Sequence, residues 1–211
     1  MRRSELIVFL IFLSSLAISI YFYPKLPDKI PSHWNIQGEV DGYMNKLWGL
    51  FLMPFVLLAM FLLFILIPRI DPLKANIEKF RKYYDWFIIL LFLFMIFLQT
   101  FIILWSLGTK IRPQIAFTIG LGILFFYIGF LLENTKRNWF IGIRTPWTLS
   151  SDAVWDKTHK LGGKLFKVIG IVALIGILFR KYAFWFVIVP PVVISVCLLI
   201  FSYIKYRTES K

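Results

Sequence analysis

The residues of this chain that could do chemistry lie in two polar segments, 24–46 and 133–164. In the first, His33 is followed by Asp41, and an imidazole with a carboxylate is a partial ligand set for a metal ion. Two candidate ligands without a third are too few to predict a metal. The other interpretation is that His33 and Asn35 satisfy backbone groups in a tight, ordered loop.

The second segment contains the stretch NWFIGIRTPWTLSSDAVWDKTHKLGG at 138–163. Arg144 is a fixed cation that can bind a carboxylate or a phosphate through two parallel hydrogen bonds. His159 lies close to Asp156 along the chain, which suggests acid–base chemistry, but no nucleophile or third group accompanies the pair. The residues favour a binding segment over an active site, so neither an enzyme nor a cofactor is expected.

Local signals predict how this second segment folds. Thr145 precedes Pro146 and is therefore pushed toward extended geometry. Ser150 or Ser151 suits the N-cap of a helix with one apolar face. The sequence predicts a short amphipathic helix at the membrane surface, and the glycine pair at 162–163 either ends it or allows close packing into the next apolar run.

Outside these segments the composition is that of a membrane protein. Hydrophobic residues make up 59% of the 211 residues and the mean hydropathy is +0.77, whereas soluble domains are about 45–50% apolar. Six apolar runs approach the roughly 20 residues that cross a bilayer as a helix. They are 6–23, 47–67, 86–107, 115–132, 165–179 and 183–204. The predicted fold is an all-α integral membrane protein, a polytopic bundle of six transmembrane helices. The fifth run is the shortest, so it either begins before Leu165 or forms a re-entrant hairpin.

The distribution of basic residues predicts the orientation. With six spans, 17 of the 24 Lys and Arg residues lie on the side that holds both termini, and 7 lie on the other. The positive-inside rule therefore places both termini in the cytoplasm of a multi-pass plasma-membrane protein, with 24–46 outside and 133–164 inside. The net charge of +13 lies beside the spans, where it meets the lipid bilayer, so direct nucleic-acid binding is not expected. The first run is too long for the apolar core of a signal peptide, and an uncleaved span is expected.

The apolar runs contain almost no ionisable side chains. Asp85 and Glu133 lie at span ends, and Gln99 is the main polar side chain within a span. Because charged residues inside the membrane mark ion and proton pathways, their scarcity argues against a coupled transporter. Ser15 and Ser19 are interpreted as a small-residue pair at which helices pack.

Both polar segments resemble the signatures of the SdpI family of membrane proteins. The stretch at 138–163 is similar to the defining segment of that family almost position for position, and LPDKIPSHWNIQGEVDGYMNK at 26–46 resembles a domain of unknown function that often precedes it. The resemblance covers nearly the whole chain, as an N-terminal membrane region, 1–107, and an SdpI-like membrane region, 108–211. It carries over thirteen motif positions as candidate ligand- or partner-binding residues: His33, Trp34, Asn35, Gly38, Asp41, Asn138, Gly142, Arg144, Thr145, Pro146, Trp147, Trp155 and His159.

The resemblance implies an integral membrane protein that gives immunity against a secreted, membrane-active toxic peptide and that draws a soluble transcriptional repressor to the membrane. On that interpretation the peptide binds outside and the repressor inside. Two alternatives remain open. One is a membrane enzyme with its site at His33 and Asp41 or at Arg144 and His159; the other is a transporter-like protein that binds a lipid or lipopeptide between its helices.

Overall fold

Six long helices dominate the computed structural model, which describes residues 2–110 and 112–209. In chain order the helices are α1 (Arg3–Phe22), α2 (Lys46–Ile70), the short α3 (Lys74–Lys79), α4 (Arg81–Ser106), α5 (Pro113–Asn134), the short α6 (Pro146–Ser150), α7 (Asp152–Gly176) and α8 (Ala183–Glu209). Short 3₁₀ helices follow α1 and α7, at Tyr23–Lys25 and Ile177–Tyr182. Each long helix lies in a segment that is long and apolar enough to cross a membrane. The predicted all-α, multi-pass membrane fold is confirmed, whereas the orientation of the termini stays a prediction.

Helix α7 corrects the prediction for the fifth span. The short surface helix expected after Ser151 and the apolar run at 165–179 form one continuous helix, Asp152–Gly176. The prediction of a separate amphipathic helix is therefore wrong, and of the two possibilities for the fifth run the earlier start is confirmed. Ser151 is the N-cap, because its hydroxyl accepts the backbone N–H of Val154 at 3.3 Å.

The glycine pair inside α7 serves close packing and does not end the helix. A Cβ at Gly162 would lie 2.6 Å from the side chain of Ile143. A Cβ at Gly163 would lie 2.6 Å from the carbonyl oxygen of Gly129 on α5. Small residues thus let the backbones of α5 and α7 approach each other, as expected where membrane helices cross.

The first polar segment forms a β-hairpin, which the sequence did not predict. Strand β1 (Lys29–Trp34) pairs antiparallel with β2 (Val40–Asn45). Ile30 of β1 is fully buried in an apolar cluster with Leu50 and Ile103. Along β2, half-buried and exposed residues alternate, which is the pattern of a strand with one covered face.

A hydrogen-bonded group of polar side chains lies among α1, α2 and α4. Pro54 has no N–H, so the carbonyl of Leu50, one turn earlier in α2, has no helical donor. The hydroxyl of Ser19 donates to that carbonyl at 2.8 Å. Gln99 donates to Ser19 Oγ at 2.7 Å and accepts from Ser15 Oγ at 2.5 Å. Because polar groups in hydrocarbon need partners within the protein, these bonds tie the three helices together.

The chain divides into two compact units, each made of two stretches. The first consists of Met1–Ile65 and Ile88–Phe117, and the second of Leu66–Phe87 and Thr118–Lys211. The hairpin belongs to the first unit and the whole of the second polar segment to the second. The regions 1–107 and 108–211 stay predictions.

Candidate functional site

The loop between α5 and α6 is organised by Asn138. This side chain is fully buried and uses all of its hydrogen-bonding groups. Its Oδ1 accepts the backbone N–H groups of Phe140 and Ile141 at 2.9 and 2.6 Å. Its Nδ2 donates to the carbonyl oxygens of Lys136 and Ile141, both at 2.9 Å. Only a side-chain amide offers two donors and an acceptor here, so Asn138 closes the loop and has no group left for a ligand.

His159, on α7, is hydrogen-bonded to the backbone of the same loop. Its Nε2 accepts the backbone N–H of Ile143 at 2.8 Å, which requires an unprotonated Nε2. The proton is then on Nδ1, which donates to the carbonyl of Trp155 at 2.9 Å. The two rings stack at 3.9 Å, and Trp155 Nε1 donates to the carbonyl of Thr135 at 3.2 Å. Gly142 faces this pair with a φ of +121°, and a Cβ there would overlap His159 Nε2.

This geometry decides against the acid–base interpretation of the second segment. Both ring nitrogens of His159 are engaged in hydrogen bonds, and the side chain is 1% exposed. Asp156 does not bond to the ring; it pairs with Lys136 at 3.2 Å. A general base needs a free lone pair that faces a substrate, and His159 has none.

The Thr145–Pro146 corner is a tight helix start. Thr145 has the predicted extended backbone, with φ −107° and ψ 161°, and its hydroxyl accepts the N–H of Thr148 at 3.2 Å. Thr148 reciprocates, because its Oγ1 accepts the N–H of Thr145 at 2.9 Å. Pro146 occupies the first turn of α6, where its missing N–H costs nothing. The Thr145 hydroxyl also lies 3.1 Å from Ser202 Oγ, which fastens the corner to α8.

The remaining motif residues form the outer surface of this loop. Trp147 packs its ring 5.0 Å from that of Tyr203 on α8. Arg144 is exposed and donates one bond, at 2.8 Å, to the carbonyl of Trp139. Trp139 is 51% exposed and Phe140 37%. We call Trp139, Phe140 and Arg144 the exposed corner; it is a part of the second segment that a partner can reach.

Two residues that the sequence analysis did not single out also bind backbone groups in or beside the loop. Asp71, which is 2% exposed, accepts the backbone N–H of Trp139 at 2.9 Å and that of Leu73 at 2.6 Å. Arg137 donates to the carbonyl of Leu149 at 2.9 Å and lies 2.7 Å from Asp152 Oδ1. An aspartate directly before a proline is a turn signal, which would have drawn attention to position 71.

In the hairpin, the imidazole and carboxylate predicted as candidate ligands contact each other. His33 Nδ1 lies 2.5 Å from Asp41 Oδ1, and both side chains are exposed. The alternative expectation, that His33 satisfies backbone groups, is not what the structure shows. Trp34 packs against Phe101 and Trp105, with ring centroids 5.3 and 5.7 Å away. Among the described residues, no three His, Cys, Asp or Glu side chains are placed to hold a metal ion together.

Asn35 and Gly38 shape the hairpin turn. The Asn35 Oδ1 accepts the N–H of Glu39 at 2.9 Å, as predicted for a residue that satisfies backbone groups. Gly38 adopts a φ of +86°, and a Cβ there would meet the amide of Gln114. Gln114 in turn donates to the carbonyl of Ile36 at 2.9 Å. The structure thus brings five motif residues together in the hairpin and eight in the second segment.

Two known families match the chain over these segments. A domain of unknown function, DUF1648, matches residues 10–58, and the SdpI/YfhL protein family matches residues 134–204. Together with the relative described next, these two matches support an assignment of the chain to the SdpI family. It is 27% identical over 208 residues to "Immunity protein SdpI" of Bacillus subtilis (strain 168), across 98% of this chain and 97% of the relative. No solved structure matches.

The SdpI match covers the loop, α6, α7 and most of α8, and so contains all eight motif residues of the second segment. The preceding match contains most of α1, from residue 10 onward, the hairpin and the first half of α2. Three buried residues of the site, Asn138, Trp155 and His159, therefore lie within the segment that matches the SdpI/YfhL family. Their contacts show that much of this signature specifies a loop structure.

Proposed function

We propose that this protein is a membrane immunity protein that protects the cell producing it from a membrane-active toxic peptide. The observation that carries the proposal is the similarity to an immunity protein over 98% of this chain and 97% of that relative. Because the similarity includes both compact units, it extends to the hairpin as well as to the SdpI segment. The immunity role therefore rests on the whole architecture and not on one shared loop.

We place the peptide at the hairpin. A peptide that acts on membranes reaches the bilayer surface first, and the hairpin connects the ends of α1 and α2, where these spans leave the bilayer. Its exposed side combines Tyr43, 62% exposed, and Ile36, 49% exposed, with the His33–Asp41 pair. Aromatic side chains beside polar groups are typical of the surfaces that bind peptides.

We place the soluble repressor at the exposed corner. Trp139 and Phe140 offer an apolar surface, and among the described residues no carboxylate pairs with Arg144. A guanidinium with free N–H donors can bind a carboxylate of a partner through two bonds. Binding of the peptide would alter repressor binding only if the bundle has two states with different affinities for the peptide.

Expression in a peptide-sensitive strain tests the immunity role directly. Cells that make the wild-type protein should survive a secreted, membrane-active toxic peptide that kills cells with an empty vector. Survival is measured as colony counts across a series of peptide concentrations. Unchanged killing at normal membrane levels of the protein contradicts the proposal.

A pair of hairpin variants tests where the peptide binds. Tyr43→Ala removes an exposed ring and should reduce protection by tenfold or more, about what the loss of one binding hot spot costs. Gln37→Ala changes another exposed side chain of the same hairpin and should leave protection intact. If Tyr43→Ala and Gln37→Ala protect equally well, the peptide does not bind at the hairpin. That result leaves the immunity role itself intact.

A further inference from the structure

An open pocket of about 630 Å³ lies beside the loop, between the end of α5 and the first half of α7. Residues 133–136 line one side. Asp156, His159, Lys160 and Lys164 line the other. All of these residues belong to the second compact unit. Neither the immunity role nor the exposed corner uses this pocket.

The two carboxylates of the pocket are neutralised by lysines. Glu133 pairs with Lys167 at 2.7 Å. Asp156 pairs with Lys136 at 3.2 Å. An entering ligand therefore meets no uncompensated negative charge on the pocket wall.

Lys160 and Lys164 make the pocket positive. They are four residues apart on α7, so their side chains lie on one face of the helix, and both are exposed. Within the part of the chain that the structure describes, neither forms an ion pair. Two ammonium groups in this arrangement match a phosphate, which accepts several hydrogen bonds from strongly hydrated cations.

An apolar stripe continues from this pair along α7. Val168, Ile171 and Ile175 follow Lys164 at helical spacing on the same face, and they are 51, 48 and 46% exposed. From Lys164 to Ile175 the helix rises about 16 Å, at roughly 1.5 Å per residue. Half of a hydrocarbon core of about 30 Å is close to that length. The stripe therefore has the reach of one acyl chain.

We propose that this pocket binds the phosphate headgroup of an anionic glycerophospholipid. Lys160 and Lys164 contact the phosphate, and an acyl chain lies along Val168, Ile171 and Ile175. A free phosphate ester would match the two lysines alone, whereas a lipid matches the lysines and the stripe together. The positive-inside prediction places this lipid in the inner leaflet, where anionic lipids attract basic residues near the surface.

Native mass spectrometry of the detergent-purified full chain tests this site. The protein is titrated with palmitoyl-oleoyl phosphatidylglycerol and, separately, with palmitoyl-oleoyl phosphatidylcholine. Wild-type protein should bind phosphatidylglycerol more tightly than phosphatidylcholine. The Lys160→Gln/Lys164→Gln variant should bind phosphatidylglycerol about 30-fold more weakly, at roughly fivefold for each lysine lost. Lys160→Arg/Lys164→Arg keeps the charge and should keep most of the affinity.

A matched control removes two lysines elsewhere. Lys74→Gln/Lys82→Gln makes the same change of charge at exposed positions outside the pocket and should bind phosphatidylglycerol like the wild type. An equal loss in both double variants would show general attraction to lipid and overturn the site. Unchanged binding by Lys160→Gln/Lys164→Gln would also overturn it. Displacement of the lipid by equimolar glycerol phosphate would assign the pocket to a free phosphate ester and overturn the lipid as its ligand.

Discussion

Gly142 lies against the imidazole of His159, so closely that a Cβ at position 142 would overlap Nε2 of the ring. The next residue, Ile143, donates its backbone N–H to that same nitrogen at 2.8 Å. The glycine makes room for the ring, and the ring holds the loop. These two motif positions therefore act as one structural unit, and a change at either should lower the free energy of unfolding.

Gly142→Ala should lower the free energy of unfolding by about 2–4 kcal/mol, because a positive φ and a steric overlap act together. Gly108→Ala is the matched control: its φ is +98°, but no atom lies within 4 Å of the added Cβ. It should cost only about 1–2 kcal/mol, the strain of the backbone alone. Denaturant titration in detergent, followed by tryptophan fluorescence, measures both. Equal losses would show that the contact with His159 contributes nothing.

His159→Ala should destabilise the protein by about 2–5 kcal/mol, since it leaves the N–H of Ile143 without an acceptor and opens a cavity beside Trp155. Lys157→Gln, an exposed change on the same helix, should stay within about 0.5 kcal/mol of the wild type. The same fluorescence titration compares them. A fully stable His159→Ala variant with lost function would instead assign this side chain to a partner.

Ser19→Ala should cost about 0.6–1.7 kcal/mol, the range of a hydrogen bond between membrane helices. The cost should fall in a Pro54→Ala background, because that change restores the N–H that the Leu50 carbonyl lacks. A double-mutant cycle measures the coupling. Ser14→Ala is the control: its hydroxyl bonds only within α1, to the carbonyl of Leu10 at 2.9 Å. If the free-energy costs of Ser19→Ala and Pro54→Ala are additive, the Ser19 hydroxyl does not take the place of the N–H that Pro54 lacks.

Arg144→Ala should abolish recruitment of the proposed repressor while membrane insertion and thermal midpoint stay close to wild type, because this side chain is exposed and makes one bond. Arg144→Lys should retain part of the recruitment, since an ammonium keeps the charge but cannot bind a carboxylate bidentately. The membrane-bound fraction of a fluorescent repressor fusion reports the effect. Lys157→Gln should recruit normally; recruitment by Arg144→Ala at the wild-type level would remove the exposed corner from the proposal.

The spans could be predicted from the sequence because the hydrocarbon core requires long apolar helices whatever their neighbours are. The hairpin could not. Pro31 stands within β1 and Gly42 within β2, and both residue types are typical of loops. The first half of α7 was also missed as part of a span, because its charged residues lower the hydropathy before Leu165. The N-cap signal at Ser150 or Ser151 indicated a helix, but nothing local showed that it continues through the glycine pair.

The motif positions of the candidate site were found by resemblance, but what most of them do could not be predicted. Their partners are backbone groups brought near by the fold, as the N–H of Ile143 is brought to His159. Asp71 and Trp139 are 68 residues apart and meet through a backbone N–H. No spacing rule reaches that far, since such a contact depends on how the helix ends pack. Only Arg144 keeps the role of an accessible cation that its type suggests.

Helix α7 is a rod of 25 residues, about 37 Å long, that carries Trp155 and His159 at one end and the fifth span at the other. It contains no proline at which it could bend, and its glycine pair at 162–163 is packed tightly against Ile143 and against Gly129 of α5. A tilt or a shift of its membrane half, by a neighbouring lipid or a bound peptide, therefore moves the loop end as well. Because one continuous helix connects the fifth span to the loop, we expect a displacement of a few ångströms within the bilayer to move the exposed corner directly.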